Sequence, residues 1–556
     1  MGLWMIRGGR LVDPANNVDE EPRDLWIEDE RVVAAPGDPA VRPDRVLDAR
    51  GMVILPGGVD MHCHIAGPKV TSGRVMRPEL ARGQEQHAAV FQEPRRGGTL
   101  GGLPSTFVTG YRYAGLGYTT AIEAAVPPLG ARQALLELTD TPIIDKGFLA
   151  LIGNNHYAMD LIQQGDAARL REFVRWLLTA TRAYGLKIVN PGGVERWKQG
   201  RGNVASLDDE VEGFGVTPRQ ILAALAEARD ALGLPHAIHI HGLNLGLAGN
   251  WETTLETMRA LDGRGAHFTH IQFPSYGGSF DQPGLISSRV EPLAEYFNAH
   301  RSLTLDVGQV LFGETTSMTA DGPVGQYLHK VTGRKWISHD VEQETGCGVV
   351  PITYEERNLV HAIQWAIGME WFLRVQDPWR LALSTDHPNG GSFLAYPRII
   401  AMLMDRELRA AQLARLPDRL RERSPLADLD REYSLSEIAV ITRAAPAKIL
   451  GLDSKGHLGP GADADVTIYQ PTDDKIHMFS FPRYVIKGGA LVIDDGELRA
   501  APDGLVLHVD AGGEIDFVDE VRDWWQDHAT TRWSNFAIQP GEFSGRPVPR
   551  LGAREH

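Results

Sequence analysis

The chain has 556 residues, 43% of them hydrophobic and 23% charged, the balance of a soluble globular protein large enough for one big catalytic domain with smaller appendages. Its formal net charge of −16 argues against a nucleic-acid or anionic-membrane surface, because such partners need a basic footprint. Two cysteines, Cys63 and Cys347, leave no disulfide framework and no cysteine-based zinc site, and they point to a reducing, cytoplasmic setting.

The start, Met1 to Arg10, turns polar too quickly for a signal peptide, and no apolar run reaches spanning length. Residues 1–52 read as short strands and turns around Gly8-Gly9. From Val53 to about Leu450 apolar strands alternate with long amphipathic helices, the pattern of a parallel sheet with helical crossovers. Candidate strands lie at Val53 to Val59, Tyr118 to Ala125, Phe148 to Ile152, Leu186 to Val189, Ala237 to His241, His267 to Gln272, Leu303 to Val307 and Leu381 to Thr385. Eight is the number of a (β/α)₈ barrel. Helices are expected at Ala167 to Tyr184, Thr217 to Leu232 and Glu355 to Val375, with another near Leu435 to Leu450.

The stretch from Gly67 to Gly117, with Arg82, Arg95, Arg96 and Arg112, is long for a barrel loop and reads as an insertion over the barrel mouth, where substrate contacts usually sit. Residues 451–510 return to strand and turn and echo the amino-terminal unit, so both ends are expected to form one small β-sandwich. The extension 511–556, with Trp524-Trp525 and Trp533, shows no regular period and is expected to pack its aromatics on the chain's own barrel.

The chemistry should sit where barrel strands end. Strand one ends in His62-Cys63-His64, whose alternate residues share a face, so both imidazoles point inward. Strand four carries Lys187, one of ten lysines, in an otherwise apolar run. Strand five offers His236, His239 and His241, strand six His267 and His270, and strand eight Asp386-His387. A lone histidine at a strand end is more often structural than a ligand. Five strand ends bearing such residues together point to a metal.

The order His-x-His, Lys, His, His, Asp on successive strands resembles the amidohydrolase superfamily. That resemblance selects His62, His64, Lys187, His241, His270 and Asp386 as ligands of two metal ions, with Lys187 carboxylated to a bridging carbamate and Asp386 as general base. Longer runs are more specific: His62-Cys-His-Ile-Ala-Gly-Pro-Lys69, Gly153-Asn-Asn-His156, Lys187-Ile-Val-Asn-Pro-Gly-Gly193, His267-Phe-Thr-His-Ile-Gln-Phe273 and Thr385-Asp-His-Pro-Asn-Gly-Gly391. They resemble the A-subunit family of formylmethanofuran dehydrogenase and of the formyltransferase/hydrolase complex of methylotrophic bacteria. The resemblance implies two zinc ions and hydrolysis, or its reverse, of an N-formyl group on methanofuran or methylofuran. It also implies a multi-subunit complex, with Lys69, Asn155 and His156 as candidate substrate contacts. With no iron–sulfur cysteine cluster and no dinucleotide fingerprint in the sequence, any electron transfer would belong to a partner. A hydantoinase- or dihydropyrimidinase-like cyclic-amide hydrolase and a non-catalytic scaffold are the alternatives; a scaffold would be expected to have lost a ligand, and all six positions are filled.

Overall fold

At Gly57 the chain passes from one sheet into another. The run expected as a single strand from Val53 to Val59 is two strands: Val53–Pro56 pairs with the chain ends, and Gly58–Cys63 opens the barrel. A Cβ on Gly57 would lie 2.2 Å from Thr119 Oγ1, so glycine lets the crossing chain press against the next barrel strand. The computed structural model describes residues 2–78, 103, 105–279, 282, 285–341, 344–513, 517–539 and 541–551.

Eight parallel strands follow one another around the barrel in chain order. They are β1 (Gly58–Cys63), β2 (Tyr118–Val126), β3 (Asp145–Leu151), β4 (Gly185–Val189), β5 (Ile238–His241), β6 (Ala266–Phe268), β7 (Leu303–Asp306) and β8 (Leu381–Ala382). The ring closes where Cys63 bridges His387 in parallel and the His64 N–H donates to the His387 carbonyl at 2.6 Å. Strands β6 and β8 are shorter than their apolar runs suggest. The backbone turns out of the ladder before the functional residue in each, with His270 at φ 34° and Asp386 at φ 50°. Helices Ala167–Thr181, Pro218–Leu232 and Leu359–Arg374 fall within the expected ranges, and the second opens on a capping box between Thr217 and Gln220.

The two chain ends meet in one nine-stranded sheet. Val466–Tyr469 runs antiparallel to Val53–Pro56, joining the carboxy-terminal strands to Leu3–Asp13 and Val18–Glu28. Ile6, Leu25, Ile27, Ile54, Ile468 and Ile486 share a core separate from that of the barrel. A buried ion network clasps the two sheets. Lys455 Nζ reaches Asp463 and Asp465 at 2.9 Å each and also contacts Asp145, the first residue of β3; Lys487 Nζ reaches Asp145 at 2.9 Å and Asp465 at 3.0 Å.

Between β7 and helix Leu359–Arg374 the barrel carries an inserted antiparallel sheet of strands Gly313–Thr319, Ile337–Val341 and Glu344–Tyr354, with helix Gly322–Thr332 between the first two. This insertion was not anticipated, because its polar Thr315-Thr316-Ser317 run carries no apolar alternation. Of the expected insertion 67–117, helices Pro68–Met76 and Thr106–Gly115 are seen, whereas Arg82, Arg95 and Arg96 lie outside the described residues. Arg112 is buried in the second helix, where desolvation lowers its guanidinium to about 10.

The carboxy-terminal segment forms a helix, Val518–His528, that the sequence pattern did not reveal, since among its residues only Val521 and Trp525 are buried. Its aromatics pack on the chain's own barrel helices: Trp533 stacks on Trp176 at 5.2 Å and Trp524 meets Tyr157 at 4.8 Å. Among the described residues no helix is long and apolar enough to cross a membrane.

Removing one partner from a buried ion network leaves the others uncompensated, at a cost of about 3–5 kcal/mol. Lys455→Met is therefore expected to lower the urea-unfolding free energy by that order, because it leaves three buried carboxylates to Lys487 and the peripheral arginines. An unchanged midpoint would show that the network contributes nothing to stability.

Candidate metal centre

Every residue at the carboxyl end of β1 is buried, and His62 and His64 are each oriented by their own carboxylate. His62 Nδ1 lies 3.2 Å from Asp306 Oδ2, and His64 Nδ1 lies 2.8 Å from Glu123 Oε1. An ionised carboxylate only accepts, so in each ring Nδ1 carries the proton and Nε2 presents a lone pair. Both Nε2 atoms converge on Asp386 Oδ1, at 3.0 Å from His62 and 3.2 Å from His64. Among the described residues His62 Nε2 and Asp386 Oδ1 nevertheless find no hydrogen-bond partner, though both are buried. Lone pairs brought together in this way are relieved by a shared cation, and the donor set of His62, His64 and Asp386 fits a metal ion.

The electrostatics agree. Burial lowers the His62 imidazolium, but Asp306 and Asp386 overturn that effect and leave its pKa raised. Burial raises the Asp386 carboxyl, yet His270 and His62 hold it well below the usual range. The carboxylates thus favour positive charge at His62, whereas burial disfavours it at His241, His270 and Lys187.

Lys187 on β4 is 1% exposed and donates to Thr269 Oγ1 at 3.2 Å. Desolvation lowers its ammonium to about 7, against the opposing pull of Asp386 and Asp306. His241 at the end of β5 and His270 beyond β6 face each other with ring centroids 4.8 Å apart. The His270 backbone N–H donates to Asp306 Oδ1 at 3.0 Å, and its ring Nδ1 has no partner among the described residues. Gly308 makes this approach possible: its φ is 68°, and a Cβ there would lie 2.4 Å from His270 Cβ.

The structure thus brings His62, His64, Lys187, His241, His270 and Asp386 to one cavity of about 140 Å³, and Lys69 with them. Lys69 is buried, donates to the Ala125 carbonyl at 2.5 Å and lies 3.8 Å from Glu123 Oε1. Asn155 and His156 are not brought to this cavity. The Asn155 side chain caps helix His156–Gln163 by accepting from the Ala158 N–H, and His156 lies 3.4 Å from Glu195. The rival histidines stand behind these residues. His239 Nε2 lies 3.0 Å from His62 Nδ1, His236 Nε2 lies 2.9 Å from His239 Nδ1, and His267 Nε2 lies 3.1 Å from Asp306 Oδ2. His387 is likewise off the cavity, with its ring against Phe393.

The pattern of the amidohydrolase family matches residues 45–493. The chain belongs to the amidohydrolase family. Within that family, protein FwdA of Methanocaldococcus jannaschii is 45% identical over 537 residues, 93% of each chain. The A-subunit of the formyltransferase/hydrolase complex Fhc of Methylorubrum extorquens is 40% identical over 551 residues, 97% of each. The crystal structure of the FhcABCD complex from Methylorubrum extorquens, solved with methylofuran, contains a chain that superposes with a TM-score of 0.92 at 38% identity, covering 99% of this chain and 100% of that one. A dihydroorotase of Syntrophus aciditrophicus, by contrast, matches over 66 residues, 12% of this chain and 15% of its own. This amidohydrolase is therefore a metal-dependent hydrolase of the A-subunit type.

Sequence reasoning missed the carboxylates that orient His62 and His64 in this amidohydrolase. Glu123 ends no recognisable motif, yet it also accepts from the Ile65 and Ala66 N–H groups at 2.6 and 3.0 Å and so fixes the turn after β1. Asp306 lies 3.2 Å from His62 Nδ1 and 3.1 Å from His267 Nε2, and accepts from Ser384 and from the His270 backbone. A carboxylate inside an apolar strand was the available signal in both cases. The outer cavity wall, with Met318, Val324, Tyr327 and Tyr354, comes from the insertion after β7.

Gly308→Ala should displace His270, since the left-handed backbone alone costs roughly 1–2 kcal/mol in a residue with a Cβ. The expected outcome is a loss of bound metal by elemental analysis and at least about a tenfold drop in hydrolytic rate. Full metal occupancy and rate in this variant would show that the close approach is unimportant.

Proposed function

We propose that this amidohydrolase cleaves the N-formyl group of a formylated aminomethylfuran carrier, methanofuran or methylofuran, to formate and the free amine, or runs the reverse reaction, as the hydrolytic member of a multi-subunit one-carbon transfer complex. The observation that supports this reading most directly is the meeting of all six ligand-type residues at one cavity, in a chain alike over nearly its whole length to the Fhc A-subunit.

In this reading His62, His64, Lys187, His241, His270 and Asp386 hold two zinc ions, with Lys187 as the bridging carbamate. An ammonium cannot ligate a cation, but burial brings Lys187 to about 7, so the neutral amine is accessible. The ammonium first gives up one proton; the amine lone pair then bonds to the carbon of CO₂ and a second proton leaves, so that a buried cation becomes an anion. When bound, the ions supply Lewis acidity toward the formyl carbonyl and acidify the attacking water to about 7.

The chain's own groups do the rest. The Asp386 carboxylate takes a proton from the attacking water and passes it to the leaving nitrogen, so that formamide and water become amine and formic acid, which then exchange the acidic proton. Lys69, buried at the cavity, orients the formyl oxygen by donating from Nζ. Phe273, Tyr276, Met318 and Tyr354 line the cavity and exclude bulk water, offering an aromatic ring an apolar seat.

The direct test is formate release from N-formylmethylofuran by the purified chain, alongside ring opening of dihydroorotate and hydantoin. Formate release abolished by a chelator and restored by zinc is expected; ring opening without formate release would refute the reading. At fixed dissolved CO₂, reactivation of the metal-free protein by zinc should rise with pH through about 7, because the amine of Lys187 reacts only after losing its proton. Lys187→Ala should lose at least about a hundredfold in rate and recover part of it with added short carboxylates, which can replace the carbamate. Reactivation independent of CO₂ would remove the carbamate from the mechanism.

A further inference from the structure

Asp321 sits at the start of the inserted helix Gly322–Thr332, where an aspartate ordinarily caps its own helix. It does not cap it: its side chain makes no bond to the helix amides. Fully buried, it points instead at the barrel, where Oδ2 lies 3.2 Å from His241 Nε2 and Oδ1 accepts from Asn190 Nδ2 at 3.0 Å. Asn190 follows β4 directly, and its own N–H donates to the His241 carbonyl at 3.0 Å. The Asp321 N–H is held in turn by Thr319 Oγ1 at 2.9 Å.

We propose that Asp321 is a positioning residue of the metal centre, through which the inserted segment sets the tautomer and angle of His241. The inference rests on the two-metal reading above. The carboxylate can only accept, so His241 Nε2 carries the proton and Nδ1 is the nitrogen left with a lone pair for a metal. This is the opposite of His62 and His64, whose Nδ1 atoms are the protonated ones. Asn190 keeps Asp321 in place, since its amide donates to the oxygen that His241 does not use. The same helix supplies Val324, Tyr327 and Leu328 to the cavity wall. Wall and ligand are therefore set by one element, and an undocked insertion would leave His241 without its orienting partner.

The test uses the full chain with Asp321→Asn, Asn190→Asp and the double variant. Three readouts apply: zinc per chain and its affinity, the absorption spectrum of the cobalt-substituted protein, and kcat and KM for formate release from N-formylmethylofuran. Each single variant sets like groups against each other, two amides or two carboxylates. Each is expected to weaken the affinity of one metal about 10–100-fold, shift the cobalt spectrum and lower kcat with KM nearly unchanged. In the double variant the amide that D321N introduces donates to the carboxylate that N190D introduces, while its carbonyl accepts from His241, so affinity and spectrum should recover. Wild-type affinity and spectrum in D321N would overturn the proposal. So would a double variant no better than the singles, because an acceptor restored opposite His241 Nε2 would then fail to restore the site. A wild-type chain that binds two ions but releases no formate refutes the functional reading while the affinity and spectral arms still decide this one; a chain that binds no metal overturns both.

Discussion

The structure turns on a confrontation of lone pairs. Asp386 Oδ1 faces His62 Nε2 and His64 Nε2 across 3.0 and 3.2 Å, all buried. Such an arrangement is unfavourable in an empty apolar core and favourable around a cation. Asp306 and Glu123 enforce it in the neutral rings, because they hold the imidazole protons on the far side of each. Much of the surrounding architecture serves to keep these groups from relaxing. Asp386 and His270 sit on left-handed backbone, Gly308 admits them closely, and the barrel closes through the residue after Asp386.

Two features of the fold hold that arrangement in place from outside. The nine-stranded sheet anchors the strand that leads into β1, since Val53–Pro56 lies between the chain ends just before the crossing at Gly57. Asp145 at the start of β3 is bound by Lys455 and Lys487, so the far end of the barrel is tied to the same sheet. At the mouth, the insertion after β7 reaches several strand ends at once. Its Met318 N–H donates to Asn389 Oδ1 at 2.7 Å, Asp321 meets His241, and Glu344 accepts from the Asn154 N–H at 3.2 Å. The apolar wall it builds therefore has little freedom to move apart from the polar floor.

The ligand-type residues were legible because strand ends are where a barrel displays its chemistry and because His-x-His places two rings on one face. Choosing among His236, His239 and His241 was not possible from spacing. His239 and His241 alternate correctly with each other, and only packing shows that His239 turns inward to His62 while His241 lines the cavity. Asn155 looked like a substrate contact by its place after β3, yet its side chain accepts the Ala158 N–H, a role compatible with any Asn-initiated helix.

By itself the sequence determined the class of chemistry and the barrel that bears it, because hydrophobic periodicity and the kind of residue ending each strand are local properties. It could not determine which protons sit on which nitrogens, where the chain changes sheets, or which segment walls the cavity. Those depend on contacts between residues 244 apart, as in His62 with Asp306, or 80 apart, as in His241 with Asp321. A carboxylate within an apolar strand is ambiguous in one dimension. It acquires a role only when folding brings an imidazole to it and removes the water that would otherwise solvate both.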